Sequence, residues 1–355
     1  MDPAKPPMYH AVSLDRGGLA GRALDRYAAG KGARQSFSPA QKSLIMEDLR
    51  TRIRYLQEAL ALESAAIFTD YTRWARVYFA EEKLPGNYLR RTLAALDEIV
   101  SEELPSELAA RAHTIIRESI LDLESGPALV PSFLSPDNPH SATAQAYLDA
   151  LLIPDRGRAR DIISGALESE IPVKEIYLGI FQPVLRETGR LWQLRKISVA
   201  EEHFVTASVQ LSVSYLHDRI IPPDKTRQGG KTLVAACVES ELHEVGIRMV
   251  TDFFEIDGWN TYYIGANTPA QSLIQAARDR NADVVAISST LPYDITFVRY
   301  IIRSLRADPV AKKAKVIVGG YTFGIVPDLW QRVGADAFAR DAGEAVAAAD
   351  RLIGE

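Results

Sequence analysis

Two stretches of this chain place side chains at spacings that suit ligand chemistry. In Glu241-Leu-His243-Glu-Val-Gly246 a carboxylate stands two residues before an imidazole. A metal-ligating histidine needs an acceptor on its other ring nitrogen, which fixes the tautomer and raises the basicity of the ligating atom. Glu241 offers such an acceptor to His243 should that imidazole hold a metal. Ser289-Thr-Leu291 follows Gly246 after 42 residues, and Gly319-Gly320 follows Leu291 after 27 more. A serine hydroxyl can hydrogen-bond a ligand, and a glycine pair lets backbone approach one closely. Upstream, Trp192 is followed after nine residues by Glu202-His203. An indole fills space against another flat ring, and a carboxylate accepts hydrogen bonds from hydroxyl groups. Taken singly each piece is commonplace: a lone histidine in a loop is usually solvated, and Trp192 with Glu202-His203 is equally a core residue beside a solvated helix face. The order and spacing carry the signal.

The elements that must hold these residues follow from periodicity. Beyond Lys231 the pattern alternates strand and helix: strands at 232–238, 260–264, 283–288, 314–318 and 335–339, with helices at 244–257, 269–280, 295–306 and 343–353. Short apolar strands separated by helices predict a doubly wound, five-stranded parallel sheet covered on both faces, a Rossmann-like domain over 231–355. Ligands of such sheets bind at the carboxyl ends of the strands. His243 falls after the first predicted strand, Ser289 and Leu291 after the third, and Gly319-Gly320 at the end of the fourth. Gly246 opens the following helix.

Residues 142–221 carry four helical segments, near 142–152, 155–169, 172–194 and 198–219, which predicts a four-helix bundle. The linkers are 126–141, rich in proline, and 222–230. Residues 38–125 form a separate all-α domain, with helices near 39–63, 65–83, 87–103 and 106–124. Ser38 is its predicted N-cap and Pro39 its first helical residue. Residues 1–37 lack a sustained apolar period and are expected to be an irregular arm.

The chain has 355 residues, 41 basic and 46 acidic, for a net charge of −5. No strong field favours nucleic acid or an anionic membrane. No apolar run approaches the roughly 20 residues needed to span a bilayer. A single cysteine, Cys237, rules out an internal disulfide and fits a cytoplasmic location. No Gly-x-Gly-x-x-Gly follows a strand, so a dinucleotide site is disfavoured.

Together, Glu241-x-His243-x-x-Gly246, Ser289-x-Leu291 and Gly319-Gly320 resemble the fingerprint of cobalamin-binding domains, in which Asp usually stands where this chain has Glu241. The resemblance implies a cobalt-bound corrinoid with His243 beneath the metal and its nucleotide tail in a slot beside the sheet. Trp192-x9-Glu202-His203 is similar to the signature of adenosylcobalamin-dependent photoreceptors, where the bundle caps the corrinoid and these residues line the adenosyl pocket. That family's light-dependent regulators carry a histidine directly after the tryptophan; here Gln193 replaces it.

The domain order most resembles the photocobilins, whose helical domain holds a bilin. The resemblance then implies a light-sensing signalling protein rather than an enzyme, using adenosylcobalamin and a non-covalent biliverdin. Tyr71, Arg73, Trp74, Arg76, Tyr78 and His113 would serve the bilin, in a globin-like N-terminal sensory domain. A homo-oligomer that changes with light, and a downstream signalling partner, would carry the output without direct nucleic-acid or membrane binding. The alternative from the enzyme class is a corrinoid methyl-carrier protein of a methyltransferase system, which shares the tail motif and the helical cap.

Overall fold

The computed structural model of the chain describes residues 15–29, 37–82, 84–125, 130–220 and 230–354. They form two compact units, residues 1–129 and 130–355.

The first unit is all-helical: α1 (Arg16–Ala29), α2 (Pro39–Ala61), α3 (Ala65–Tyr78), α4 (Tyr88–Glu103) and α5 (Ser106–Ser125). Entry into α2 follows the sequence closely. Ser38 and Gln41 close a reciprocal capping box, and Pro39 takes a first-turn position where its missing N–H costs nothing. The irregular arm expected over 1–37 is corrected for its described part. α1 buries Leu19, Ala20, Ala23 and Tyr27, and its Arg26 pairs with Glu98 and Glu102 of α4 at 2.7 and 2.9 Å. Three glycines depress its intrinsic helicity; packing against α2 and α4 supplies what propensity lacks. The rest of that segment, 1–14 and 30–36, lies outside the described residues.

The core of this unit holds a buried charge. Arg52 is fully enclosed and pairs with Asp48 one turn earlier, while its guanidinium also donates to Thr92 Oγ1 at 2.6 Å. Asp48 in turn accepts the hydroxyls of Tyr71 at 2.9 Å and Tyr88 at 2.5 Å. Burial is the main reason both phenols are held far above their ordinary range, with the Asp48 charge adding to it.

In the second unit α6 (Ser141–Leu152), α7 (Arg156–Glu168), α8 (Val173–Ile176), α9 (Gln182–Gln193) and α10 (Val199–Ile220) build the bundle. α8 and α9 are one continuous helix joined by a wide π turn at Tyr177–Phe181, which accounts for the single segment predicted over 172–194. Residues 130–140, expected as linker, are fastened to this bundle. Glu187 accepts the Ser132 hydroxyl and the Phe133 amide, both at 3.0 Å, and Asn138 donates to the Gly179 carbonyl at 2.7 Å. Residues 126–129 and 221–229 of the two expected linkers lie outside the described residues.

The sheet comprises β1 (Thr232–Cys237), β2 (Asn260–Gly265), β3 (Val284–Ser288), β4 (Lys315–Gly319) and β5 (Ala337–Ala339), ordered β2-β1-β3-β4-β5 and parallel throughout. β3 is buried along its whole length, whereas the edge strand β2 is mostly half-exposed, the burial expected of a parallel sheet with helices on both faces. The covering helices are α11 (Val245–Ile256), α12 (Ala270–Asp279), α13 (Ile295–Ala307), α14 (Tyr321–Ile325), α15 (Leu329–Val333) and α16 (Ala342–Gly354). The two five-residue helices, α14 and α15, carry too few apolar repeats to be read from sequence. The fold is thus the five-stranded parallel sheet with a helical bundle that the sequence predicts. No described helix is long and apolar enough to cross a membrane.

Asp48→Ala is expected to destabilise the chain by about 3–5 kcal/mol, because it leaves Arg52 buried without its counter-ion; chemical denaturation of the full chain measures it.

Candidate functional site

The carboxyl ends of β1, β3 and β4 are neighbours in the sheet, and a single side chain ties the loops after β1 and β3 together. Glu241, in the loop after β1, is fully buried. Its Oε1 accepts the His243 amide at 2.9 Å and the His243 ring Nδ1–H at 2.5 Å. Its Oε2 accepts the amides of Thr290 at 2.6 Å and Leu291 at 3.2 Å, in the loop after β3. Burial alone would raise this carboxyl, but the bonds from His243 and Thr290 outweigh it and hold it below the usual carboxylate range. The His243 ring is raised in return, first by its bond to Glu241.

The consequence is a fixed tautomer. Nδ1 is occupied by Glu241, so Nε2 is the outward nitrogen, on a side chain that is 62% exposed. An anchored, exposed imidazole over the strand ends is arranged to ligate a metal from the sheet side. The neighbouring thiol does not compete: burial pushes the Cys237 pKa up to about 12, and a thiol binds metals as the thiolate.

The loop holding Glu241 is bent, with Ser240 at φ 71°. Its amide is held by Asn267 Oδ1 at 2.8 Å and its hydroxyl donates to Asp294 Oδ1 at 2.9 Å, so the loops after β2 and β3 pin the turn. Glu244, the second acidic residue of the motif, accepts the Tyr263 hydroxyl and the Ala266 amide at 2.9 and 3.0 Å. Ser240, Glu244, Asn267, Thr290 and Asp294 support the site without having been singled out from sequence. Their signal was only proximity to the motif, because long-range loop contacts have no period.

Ser289 is fully buried; its amide donates to Gly319 O at 3.0 Å, and its hydroxyl lies 3.4 Å from Leu291 O. Gly320 is required by the protein itself. Its φ is +100°, and an added Cβ would stand 2.3 Å from the Ser289 carbonyl oxygen. A Cβ at Gly319 would approach Ala339 O at 3.2 Å. Gly246 differs: it is exposed, and a Cβ there meets nothing within 4 Å, so packing within the chain does not explain it.

The bundle reaches over this point along α10. Gln210 bonds Glu244 at 3.3 Å, Ser214 bonds Arg248 at 2.8 Å, and His217 Nδ1 faces Asp252 Oδ1 at 3.3 Å. The pairs advance together, so α10 and α11 run parallel, and the first turns of α10 project beyond the start of α11. Glu202 lies eight residues before Gln210, about 12 Å further along the axis, on the line continued by the buried Val205, Val209, Val213 and Leu216. Its charge is near enough to His243 to raise the imidazole pKa further. His203 departs from that line. Its side chain is 75% exposed and its Nδ1 is bound to Glu202 Oε2 at 2.5 Å. Trp192, half-buried, lies near the end of α9, and the adjoining Gln193 is buried.

Comparison with known proteins agrees with this geometry. Residues 231–350 match a family described as "B12 binding domain", and residues 143–217 match a second family of the same description. This part of the chain is a cobalamin-binding module. The module is 25% identical over 210 residues to dimethylamine corrinoid protein 2 of Methanosarcina acetivorans, covering 59% of this chain and 95% of that protein. It is 27% identical over 191 residues to the dimethylamine corrinoid protein of Methanosarcina barkeri, covering 53% and 85%. Its fold is similar to that of the monomethylamine corrinoid protein of Methanosarcina barkeri, at a TM-score of 0.52 and 16% identity, over 60% of this chain and 99% of that one.

These relatives overturn the light-sensing expectation. They are corrinoid proteins named for a methylamine, matched over nearly their whole length, and they favour the methyl-carrier alternative over a photoreceptor. The residues proposed for a bilin also have other partners. Arg73 is paired with Asp122 and His113 with Asp97, Tyr71 bonds Asp48, and Tyr71, Trp74 and Tyr78 stack in series along α3 at 5.9 and 4.9 Å. The N-terminal unit lies outside both family matches.

Replacing Glu241 by Gln is expected to weaken cobalamin binding about 10–100-fold, the usual cost of losing the partner of a ligating histidine, while His243→Ala abolishes histidine ligation in the absorption spectrum of the reconstituted chain. Gly320→Ala forces a β-carbon against Ser289 and is expected to cost about 1–3 kcal/mol or more, read as a lowered unfolding midpoint without cofactor.

Proposed function

We propose that this chain is a corrinoid methyl-carrier protein of a methyltransferase system, a shuttle rather than an enzyme in its own right. The observation that carries the reading is the near-complete span of the corrinoid relatives by the one module whose strand ends present His243 on Glu241. Cobalamin, when bound, supplies a cobalt centre that takes up a methyl group and gives it up to an acceptor.

The chain's own residues fit that group. Nε2 of His243 would hold the cobalt, with Glu241 keeping the opposite nitrogen protonated and the ring in place. The loops after β3 and β4 would border the slot for the nucleotide tail, with the enclosed Ser289 and the close backbone packing at Gly319-Gly320 shaping it from beneath. The open space at Gly246 is accounted for by a tail that passes the start of α11. Glu202, on the projecting first turns of α10, and Trp192, near the end of α9, would bound the opposite face. A methyl group on that face must be reached by a donor enzyme and an acceptor enzyme in turn, so the partners are methyltransferases that engage the rim between bundle and sheet. The adenosyl form and the bilin belonged to the light-sensing reading and are not carried forward.

The test is reconstitution of the full chain with methylcobalamin and, separately, with adenosylcobalamin. The reading expects tight binding of the methyl form, and loss of its methyl group to a thiol acceptor when a corrinoid-dependent methyltransferase is added. Refusal of methylcobalamin with retention of adenosylcobalamin overturns it.

A further inference from the structure

We propose that His217, Asp252 and Glu255 form a binding site for a divalent cation of the zinc class, on the flank of the module and separate from His243. The three residues come from two helices. His217 lies near the end of α10, while Asp252 and Glu255 stand three residues apart on α11 and so share one of its faces. One donor atom from each lies within 4.8 Å of the other two. His217 Nδ1 and Asp252 Oδ1 are 3.3 Å apart, long for a charge-assisted hydrogen bond. That distance is close to the separation of two donors on a tetrahedral ion with bonds of about 2.0 Å. Imidazole with carboxylates is a donor set that zinc takes readily.

The surroundings orient these donors. The Tyr177 hydroxyl donates to Asp252 Oδ2 at 2.8 Å, which leaves Oδ1 as the oxygen turned to the imidazole. Thr261 Oγ1 donates to Glu255 Oε2 at 3.3 Å. Such partners fix ligand rotamers before an ion arrives. Asp252 is 3% exposed, and burial holds its carboxyl above the usual range despite the opposing pull of Tyr177, His217 and Arg248.

All three residues line one cavity of about 460 Å³, shared with Arg248, Thr261 and Tyr263, so water or a small anion has room to complete the coordination shell. Arg248 is the one guanidinium among the residues lining it. Two carboxylates and an imidazole face this one guanidinium, a set of donors in which a divalent ion finds anionic oxygen and nitrogen together. Arg248 would then face the non-protein ligand, favouring an anionic one.

The ion would join the bundle to the sheet domain at the far end of the α10–α11 seam. The near end of the same helix carries Glu202 over His243, so the ion would act as a clasp that limits how far the bundle swings away from the strand ends.

The test uses the full chain, stripped of metal by a chelator and dialysed, with zinc chloride as titrant in calorimetry. One equivalent is expected to bind, with at least a tenfold loss of affinity in His217→Gln and in Glu255→Gln, the latter keeping an acceptor for Thr261. His243→Ala is expected to bind zinc like the parent. Cobalt(II) added to the unaltered chain is expected to give the visible band of a four- or five-coordinate nitrogen–oxygen site, a readout that needs no variant. No zinc binding by the parent, zinc affinity equal to the parent's in both flank variants, or loss of binding in His243→Ala overturns the proposal.

Discussion

One buried carboxylate organises this protein's functional end. Glu241 accepts four N–H groups, two from His243 and two from the loop after β3, and a fully enclosed carboxylate is tolerable only with such company. The arrangement does two things at once. It welds two strand-end loops together, and it leaves His243 with one defined outward nitrogen. The two oxygens of the one carboxylate divide the tasks, Oε1 taking both bonds from His243 and Oε2 both bonds from the loop after β3. Ligand chemistry and local folding are therefore inseparable here: the loop that would hold a corrinoid is also held together by the group that prepares its ligand.

The bundle and the sheet domain form one apolar core, and their seam is a parallel pair of helices rather than a loose hinge. Val205, Val209, Val213 and Leu216 are fully buried along α10, and polar pairs mark the seam from Gln210 to His217. This accounts for a helical cap that stands over the strand ends while staying anchored to the flank. The covering residues sit on the free turns of α10, where the apolar stripe has run out and Glu202 takes its next position.

The sheet, the bundle and the motif positions were legible in the sequence because each has a strong local period or a fixed spacing. β1 and β3 are short apolar runs bounded by polar loops, and Glu241, His243 and Gly320 lie on the strand ends where that grammar puts them. What was not legible depended on contacts distant in sequence. α1 is helical through burial against α2 and α4 although its glycines argue otherwise, and residues 130–140 have a linker's composition but are fastened by Glu187 and by the Gly179 carbonyl. The largest error was functional. Trp192 and Glu202-His203 match a photosensory signature in spacing, yet spacing says nothing of what occupies the space between bundle and sheet. In the structure Glu202 continues the inward-facing stripe while His203 is largely in solvent, so the two halves of that motif are not equivalent.

The wide turn at Tyr177–Phe181 has a consequence for everything beyond it. A helix advances about 100° per residue, so the extra residue accommodated there re-aims the remainder of α9 by roughly that angle relative to a regular helix entered at Val173. The first residue of the bulge, Tyr177, is bonded to Asp252; Trp192 lies beyond its far end. The direction in which that indole presents itself is therefore set in part some fifteen residues upstream, by a single local change in helical winding.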